Sequence, residues 1–160
     1  MVCDLVEGHR DHLELIGRDH GNALCQRHRP FSQVTVGDDV ENDGPTTGTP
    51  GEWSGFVFQS ASDASALRST RVRFAGGPAQ SAAIRLNGAD ILLDDVDVEL
   101  SGTSGLDAAA SVASFPTISS SRFTDNAGFP LDDVPLAALP GFSANTATGN
   151  APGDVVRVTN

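Results

Sequence analysis

The sequence predicts an all-β chain wound into short stacked coils, and three observations predict it. Apolar and polar residues alternate with period two over short runs. Small-residue turns interrupt those runs at close intervals, and the run-and-turn unit recurs about every 24 residues after residue 65. Gly, Ser, Thr, Asp and Ala dominate a chain of 160 residues that is 39% hydrophobic, a mixture that suits turns and short strands and excludes a long helical bundle.

The four copies of the unit read LRSTRVRF (67–74), ILLDDVDV (91–98), PTISSSRF (116–123) and PGFSANTA (140–147), beginning 24, 25 and 24 residues apart. In the first copy Val72 and Phe74 alternate with Arg71 and Arg73. In the second Val96, Val98 and Leu100 alternate with Asp95, Asp97 and Glu99, the pattern of a strand with one buried face. Each run leads into a turn (75–77, 100–102, 124–128, 148–153) and then a second short apolar strand, read as AAIRL (82–86), GLDAA (105–109), GFPL (128–131) and DVVRV (154–158). Such a unit cannot bury its apolar face alone and must stack on its neighbours, which describes the coil of a parallel β-helix.

In register, Val72, Val96 and Ser121 form one inward column and Phe74, Val98, Phe123 and Ala147 another. Gly77, Ser101, Asn126 and Asn150 form a turn column in which stacked Asn amides hydrogen-bond along the axis while Asn adopts the left-handed backbone of the turn. On the outer face the same register gives a column of Arg73, Asp97 and Arg122, with Arg71 over Asp95 beside it. These alternating charges attract across strands at roughly 0–1 kcal/mol per exposed pair.

The net charge of -11 repels phosphate backbones, and the ten basic residues, all Arg, form no basic cluster, which argues against nucleic acid as a partner. No stretch approaches the roughly 18 apolar residues of a membrane span, and no export leader is visible in residues 1–25. A composition break near Pro30 divides the chain into an N-terminal segment, 1–29, read as weakly ordered or a short helical cap, and a repeat domain, 30–160. Cys3, Cys25 and all four histidines lie in the first of these. His9-x-x-His12 and Cys25-x-x-His28 supply pairs of metal ligands but no complete four-ligand finger, and a Cys3–Cys25 bridge would form only in an oxidising compartment.

The loop GDDVENDG (37–44) gathers Asp38, Asp39, Glu41 and Asp43, hard oxygen ligands that make it a candidate calcium site beside the plainer expectation of a solvated acidic loop with no cofactor. Pro50 stands where the bidentate Glu of an EF-hand would be needed, so the loop is not an EF-hand. Trp53, close to Phe56 and Phe58, is expected to pack at the first coil rather than to offer an exposed sugar-stacking platform.

The stretch PFSQVTVGDDVENDGPTTGTPGEWSGFVF (30–58), followed by SALRSTRVRFAGG (65–77), resembles the bacterial right-handed parallel β-helix repeat proteins of the pectate-lyase-like superfold. Pro50, Gly51, Glu52, Trp53, Ser54, Gly55 and Phe56 match the element that opens a strand in that family. The resemblance covers residues 30–160 and implies a right-handed parallel β-helix of about five coils. It also implies an exported or cell-surface protein, against which the missing leader is a departure that suggests a truncated or misassigned gene start.

Hydrolases of this architecture use a Gly-His-Gly segment and Arg-x-Lys. This chain has no His after residue 28 and no Lys. The lyases pair calcium-holding carboxylates with a basic residue, for which Asp95, Asp97 and Arg122 or Arg73 are the available set. The acidic pairs Asp94–Asp95 and Asp132–Asp133 lack matching partners. Arg is almost always protonated and makes a poor general base. The expected function is therefore a non-catalytic extracellular or cell-surface scaffold or adhesive module, with no catalytic residue assigned. The alternative is a calcium-dependent, polyuronate-lyase-like or polysaccharide-binding protein.

Overall fold

The computed structural model describes residues 13–18, 22–27, 48–77, 79–109 and 112–160, the first two stretches as backbone alone. Strand β1 (Leu13–Arg18) forms an antiparallel hairpin with β2 (Asn22–Arg27), and β1 runs parallel to the first strand of the repeat, pairing Leu13, Glu14 and Leu15 with Thr70, Arg71 and Val72. These six-residue stretches are strands, where the sequence suggests a weakly ordered segment or a short helical cap for 1–29. A helix that short is marginal in isolation, whereas an open sheet edge supplies backbone partners. The histidines, Cys3, and the acidic loop with Asp38, Asp39, Glu41 and Asp43 lie outside the described residues.

The repeat is a parallel β-solenoid of about four turns. Its second sheet stacks β3 (Phe56–Gln59), β5 (Ala82–Asn87), β7 (Ser104–Asp107), β10 (Leu131–Pro135) and β13 (Val156–Thr159). Its first sheet stacks β4 (Ala66–Arg73) on β6 (Leu92–Glu99). Beyond these, each long strand is broken at a corner into two, β8 (Thr117–Ser119) with β9 (Arg122–Thr124) and β11 (Phe142–Ser143) with β12 (Thr146–Thr148). The fifth coil expected from the sequence would start at residue 30, and 30–47 are outside the described residues.

The core is a set of stacked apolar columns. Val72, Val98, Phe123 and Ala147 form one, Leu67, Leu93, Ile118 and Phe142 a second, and Phe56, Ile84, Leu106 and Leu131 a third. Val72, Val98, Leu93, Ile118, Ile84 and Leu106 are fully buried, each worth roughly 1.5–3 kcal/mol of transfer free energy. Trp53 is buried too, its indole N–H donating to the Arg73 carbonyl at 2.7 Å and its ring standing edge-on to Phe56.

Two predicted columns shift in the first coil. Val72 pairs with Val98 and Thr70 with Val96, an offset of 26 residues rather than 24, while the later offsets of 25 and 24 hold. A slip of two residues keeps every side chain on its face, so alternation alone could not fix it. Phe74 thereby leaves the interior. It sits half-buried at a corner with the Arg73 guanidinium over its ring, 4.9 Å from the centroid.

What sets the register is a pair of left-handed corners. Ser69, Asp95, Ser120 and Ala144 form one column of positive φ, and Phe74, Leu100, Asp125 and Gly149 the other. Both columns are spaced 26, 25 and 24. The second-sheet register absorbs the variation, with offsets of 28, 22, 25 and 25 from Phe56 to Val156. The predicted strand at 128–131 lies further along the chain. That stretch is mostly turn, and β10 begins at Leu131.

The turn column is Ala75, Ser101, Asn126 and Asn150, one residue past each corner. Asn126 Oδ1 accepts from Ser101 N at 3.0 Å, and Asn126 Nδ2 donates to Asn150 Oδ1 at 2.9 Å and to the Val98 carbonyl at 3.3 Å. The amide ladder is therefore present, but the left-handed conformation belongs to the preceding residues, Asp125 and Gly149. At the last rung the pattern is closed from within. Asp154 Oδ1 accepts from Asn150 N (2.9 Å) and Nδ2 (2.8 Å), and Gly153 N donates to the Asn150 carbonyl.

Candidate functional site

The solenoid turns the inside–outside alternation of β6 into two outward columns of charge. Because Val96 and Val98 are buried, Asp97 and Glu99 must face out, and the parallel register sets Arg71 and Arg122 on either side of Asp97 and Arg73 beside Glu99. The predicted partner Arg73 is thus replaced by Arg71, the consequence of the two-residue slip. Arg122 grips both carboxylate oxygens of Asp97, Nε to Oδ1 at 2.9 Å and Nη2 to Oδ2 at 2.7 Å. Arg71 approaches Asp97 and Glu99 at 3.5 Å each, and Arg73 Nε lies 2.8 Å from Glu99.

The Arg122 hydrogen bonds hold the Asp97 carboxyl below the usual range, against the opposing effect of its partial burial, and Asp97 in turn raises Arg122. Asp97 therefore contributes stability above its unfolded pKa, and loses it as pH falls through its lower folded value. A shallow hollow of about 170 Å³ lies over these columns, lined by Asp97, Val98, Glu99, Arg122 and Thr124.

The other acidic residues singled out from the sequence are dispersed. Asp95 does not lie under Arg71 or share the Asp97 column. It occupies a left-handed corner and accepts from the Ser69 hydroxyl at 2.9 Å. Asp94 accepts from the Ser119 hydroxyl at 2.7 Å. Asp132 and Asp133 do have a partner that sequence reading missed: Arg157 on β13 bonds Asp132 through Nε and lies 3.1 Å from Asp133 through Nη2. The signal was available in LDDV (131–134) and VVRV (155–158), whose alternation sets Arg157 outward beside that pair. Burial pushes the Asp132 carboxyl up, in spite of the Ser104 hydroxyl and Arg157.

Among the described residues no group of three or more His, Cys, Asp or Glu is placed to hold a metal ion, and no helix is long and apolar enough to cross a membrane. Comparison with protein-family models, curated proteins and solved structures found no match to this chain. What the fold and the site define is the class alone, a parallel β-solenoid with a charge-paired outer face.

Proposed function

We propose that the protein is a non-catalytic scaffold or adhesive module of the extracellular space or cell surface, its solenoid serving as a rigid display surface. The observation that supports this reading is the mutual engagement of the outer charges. Proton abstraction needs a carboxylate or other acceptor poised near operating pH, yet Asp97 is held ionised by Arg122 and Arg71, and Glu99 is in ion pairs with Arg73 and Arg71. These side chains engage one another across the strands in the register that the corners set, rather than standing open to a substrate. The carbohydrate-active alternative would use the hollow beside Arg122.

The two readings give opposite results for Asp97. In the scaffold, Asp97→Arg sets three like charges at successive strand spacings and lowers stability by about 1–2 kcal/mol at low salt, a deficit that shrinks as salt is added. Asp97→Asn costs under about 1 kcal/mol and flattens the acid limb of the stability curve. Neither protein cleaves a polyuronate. Calcium-dependent growth of unsaturated-product absorbance in the parent protein, abolished in Asp97→Asn, would overturn the scaffold reading.

The acidic loop is tested separately, as a calcium site against a merely solvated loop. Bound only by the folded chain, millimolar Ca²⁺ raises the melting temperature, and Asp39→Asn with Asp43→Asn removes the rise. A melting curve identical with Ca²⁺ and with chelator would strike calcium from the proposal.

A further inference from the structure

Twice the solenoid sets an arginine over a phenylalanine ring and ties the same arginine to a carboxylate. Arg73 lies 4.9 Å from the Phe74 centroid and bonds Glu99 at 2.8 Å. Arg157 lies 5.1 Å from the Phe129 centroid and bonds Asp132. A guanidinium so placed gains from the ring quadrupole and from the anion together. A third phenylalanine and carboxylate stand together without the arginine. Phe115 is 46% exposed, and its N–H donates to Asp90 Oδ1 at 2.6 Å. Asp90 N in turn donates to Asp63 Oδ1 at 3.0 Å, so Asp63, Asp90 and Phe115 follow one another on three successive rungs, at the corner that leads from the second sheet back to the first. Both aspartates are exposed, and among the described residues neither is in an ion pair, unlike Glu99 and Asp132.

Val112, 58% exposed, belongs to the same corner. It lies against the Gly88 backbone, where an added Cβ would meet Val112 Cγ1 at 3.2 Å, and Gly88 N donates to the Val112 carbonyl at 3.1 Å. Along the axis both Val112 and Phe115 have neighbours. The turn of Gly88 and Asp90 precedes them, and the 24-residue register that sets Phe142 on Ile118 places Leu136 and Leu139 on the next rung. Their exposure is therefore lateral, on the side of the solenoid. Residues 108–121 around them carry no charge, in a chain of net charge -11. The corner thus offers an aromatic face and an apolar neighbour beside two carboxylates that no arginine neutralises.

We infer that this corner receives an arginine side chain from a different protein. Its guanidinium lies over Phe115 and pairs with Asp90, Asp63 adds negative charge one rung behind, and Val112 holds an apolar neighbour of that arginine. A second copy of this chain is a poor source of the cation, because its net charge is -11 and Arg71, Arg73, Arg122 and Arg157 are already in ion pairs. The corner is separate from the Asp97 columns, so the contact stands or falls apart from the scaffold reading.

A random short-peptide library displayed on phage and panned against the full chain supplies the probe, each enriched peptide being resynthesised with a fluorophore and titrated by anisotropy. The enriched sequences are expected to set Arg next to an apolar residue. Replacing that Arg by citrulline, which keeps the shape and removes the charge, weakens binding about tenfold, and so do Asp90→Asn and Phe115→Leu in the protein. Asp90→Asn keeps an Oδ1 acceptor for Phe115 N, and Phe115→Leu keeps an apolar side chain, so the circular dichroism and melting temperature stay those of the parent. Affinity for the parent falls as salt rises, and Asp63→Asn with Asp90→Asn flattens that dependence. Failure to enrich any peptide overturns the inference. So do enriched peptides without arginine, and so does binding that survives both Asp90→Asn and Phe115→Leu. A two-chain mass of the parent in sedimentation velocity, abolished by Phe115→Leu, overturns it as well, since the occupant is then a second copy.

Discussion

Val98→Asp unfolds the protein. Val98 is fully buried between Val72 and Phe123, its side chain surrounded by apolar columns in which no described basic group can pair with a carboxylate. An unpaired carboxylate there costs several kcal/mol even after it takes up a proton, against a total stability of about 5–15 kcal/mol for a domain of this size. The expected result is loss of the cooperative melting transition and of β-type circular dichroism. A soluble variant melting at the parent's temperature would refute the stacking of Val72, Val98 and Phe123.

The second large effect lies in the ladder. Asn126→Ala removes an amide 1% exposed that serves two buried partners, Ser101 N and the Val98 carbonyl, while Asn150 Oδ1 keeps the Asn126 backbone N–H. Each unsatisfied buried group costs about 1–3 kcal/mol, partly offset where water enters, so a loss of about 2–4 kcal/mol is expected from chemical denaturation. Asn126→Asp keeps the acceptor toward Ser101 N but turns a carboxyl oxygen toward the Val98 carbonyl and Asn150 Oδ1, and is expected to destabilise at least as much at neutral pH. A change below about 1 kcal/mol in Asn126→Ala would show that the ladder follows the coil rather than holding it.

Much of this architecture was legible because solenoid stacking converts chemistry into repetition. Val98, Phe123 and Ala147 recur at one strand face, and Asn126 and Asn150 at one turn, so both columns could be read from spacing alone. The first coil was misread because a shift of two residues leaves the alternation intact. Only the corners, where Phe74 and Leu100 take the same left-handed backbone, distinguish offset 26 from 24, and neither residue type signals that conformation. The same error paired Asp97 with Arg73 instead of Arg71. Asp95 looked like a neighbour of Asp97 because strict alternation ignores a corner in mid-strand. The tie from Arg157 to Asp132 and Asp133 was legible at the 25-residue spacing that sets Arg157 beside Asp132, and went unread because the outward charges of the second sheet were not set in register.

The two corner columns also bear on the order in which the chain can fold. Seven of their eight residues are not glycine, and a left-handed residue with a Cβ costs roughly 1–2 kcal/mol. A lone coil would meet that cost twice with no neighbour to offset it, so it has no reason to bend at Ser69 and Phe74, or at Asp95 and Leu100, by itself. Bending becomes favourable only against a rung already formed, where the turn N–H groups find their acceptors. The nucleus must therefore span at least two adjacent coils, which makes it non-local in sequence and slow to assemble. Once it exists, later rungs add on a ready template, and the chain grows along its axis as a crystal grows on a seed.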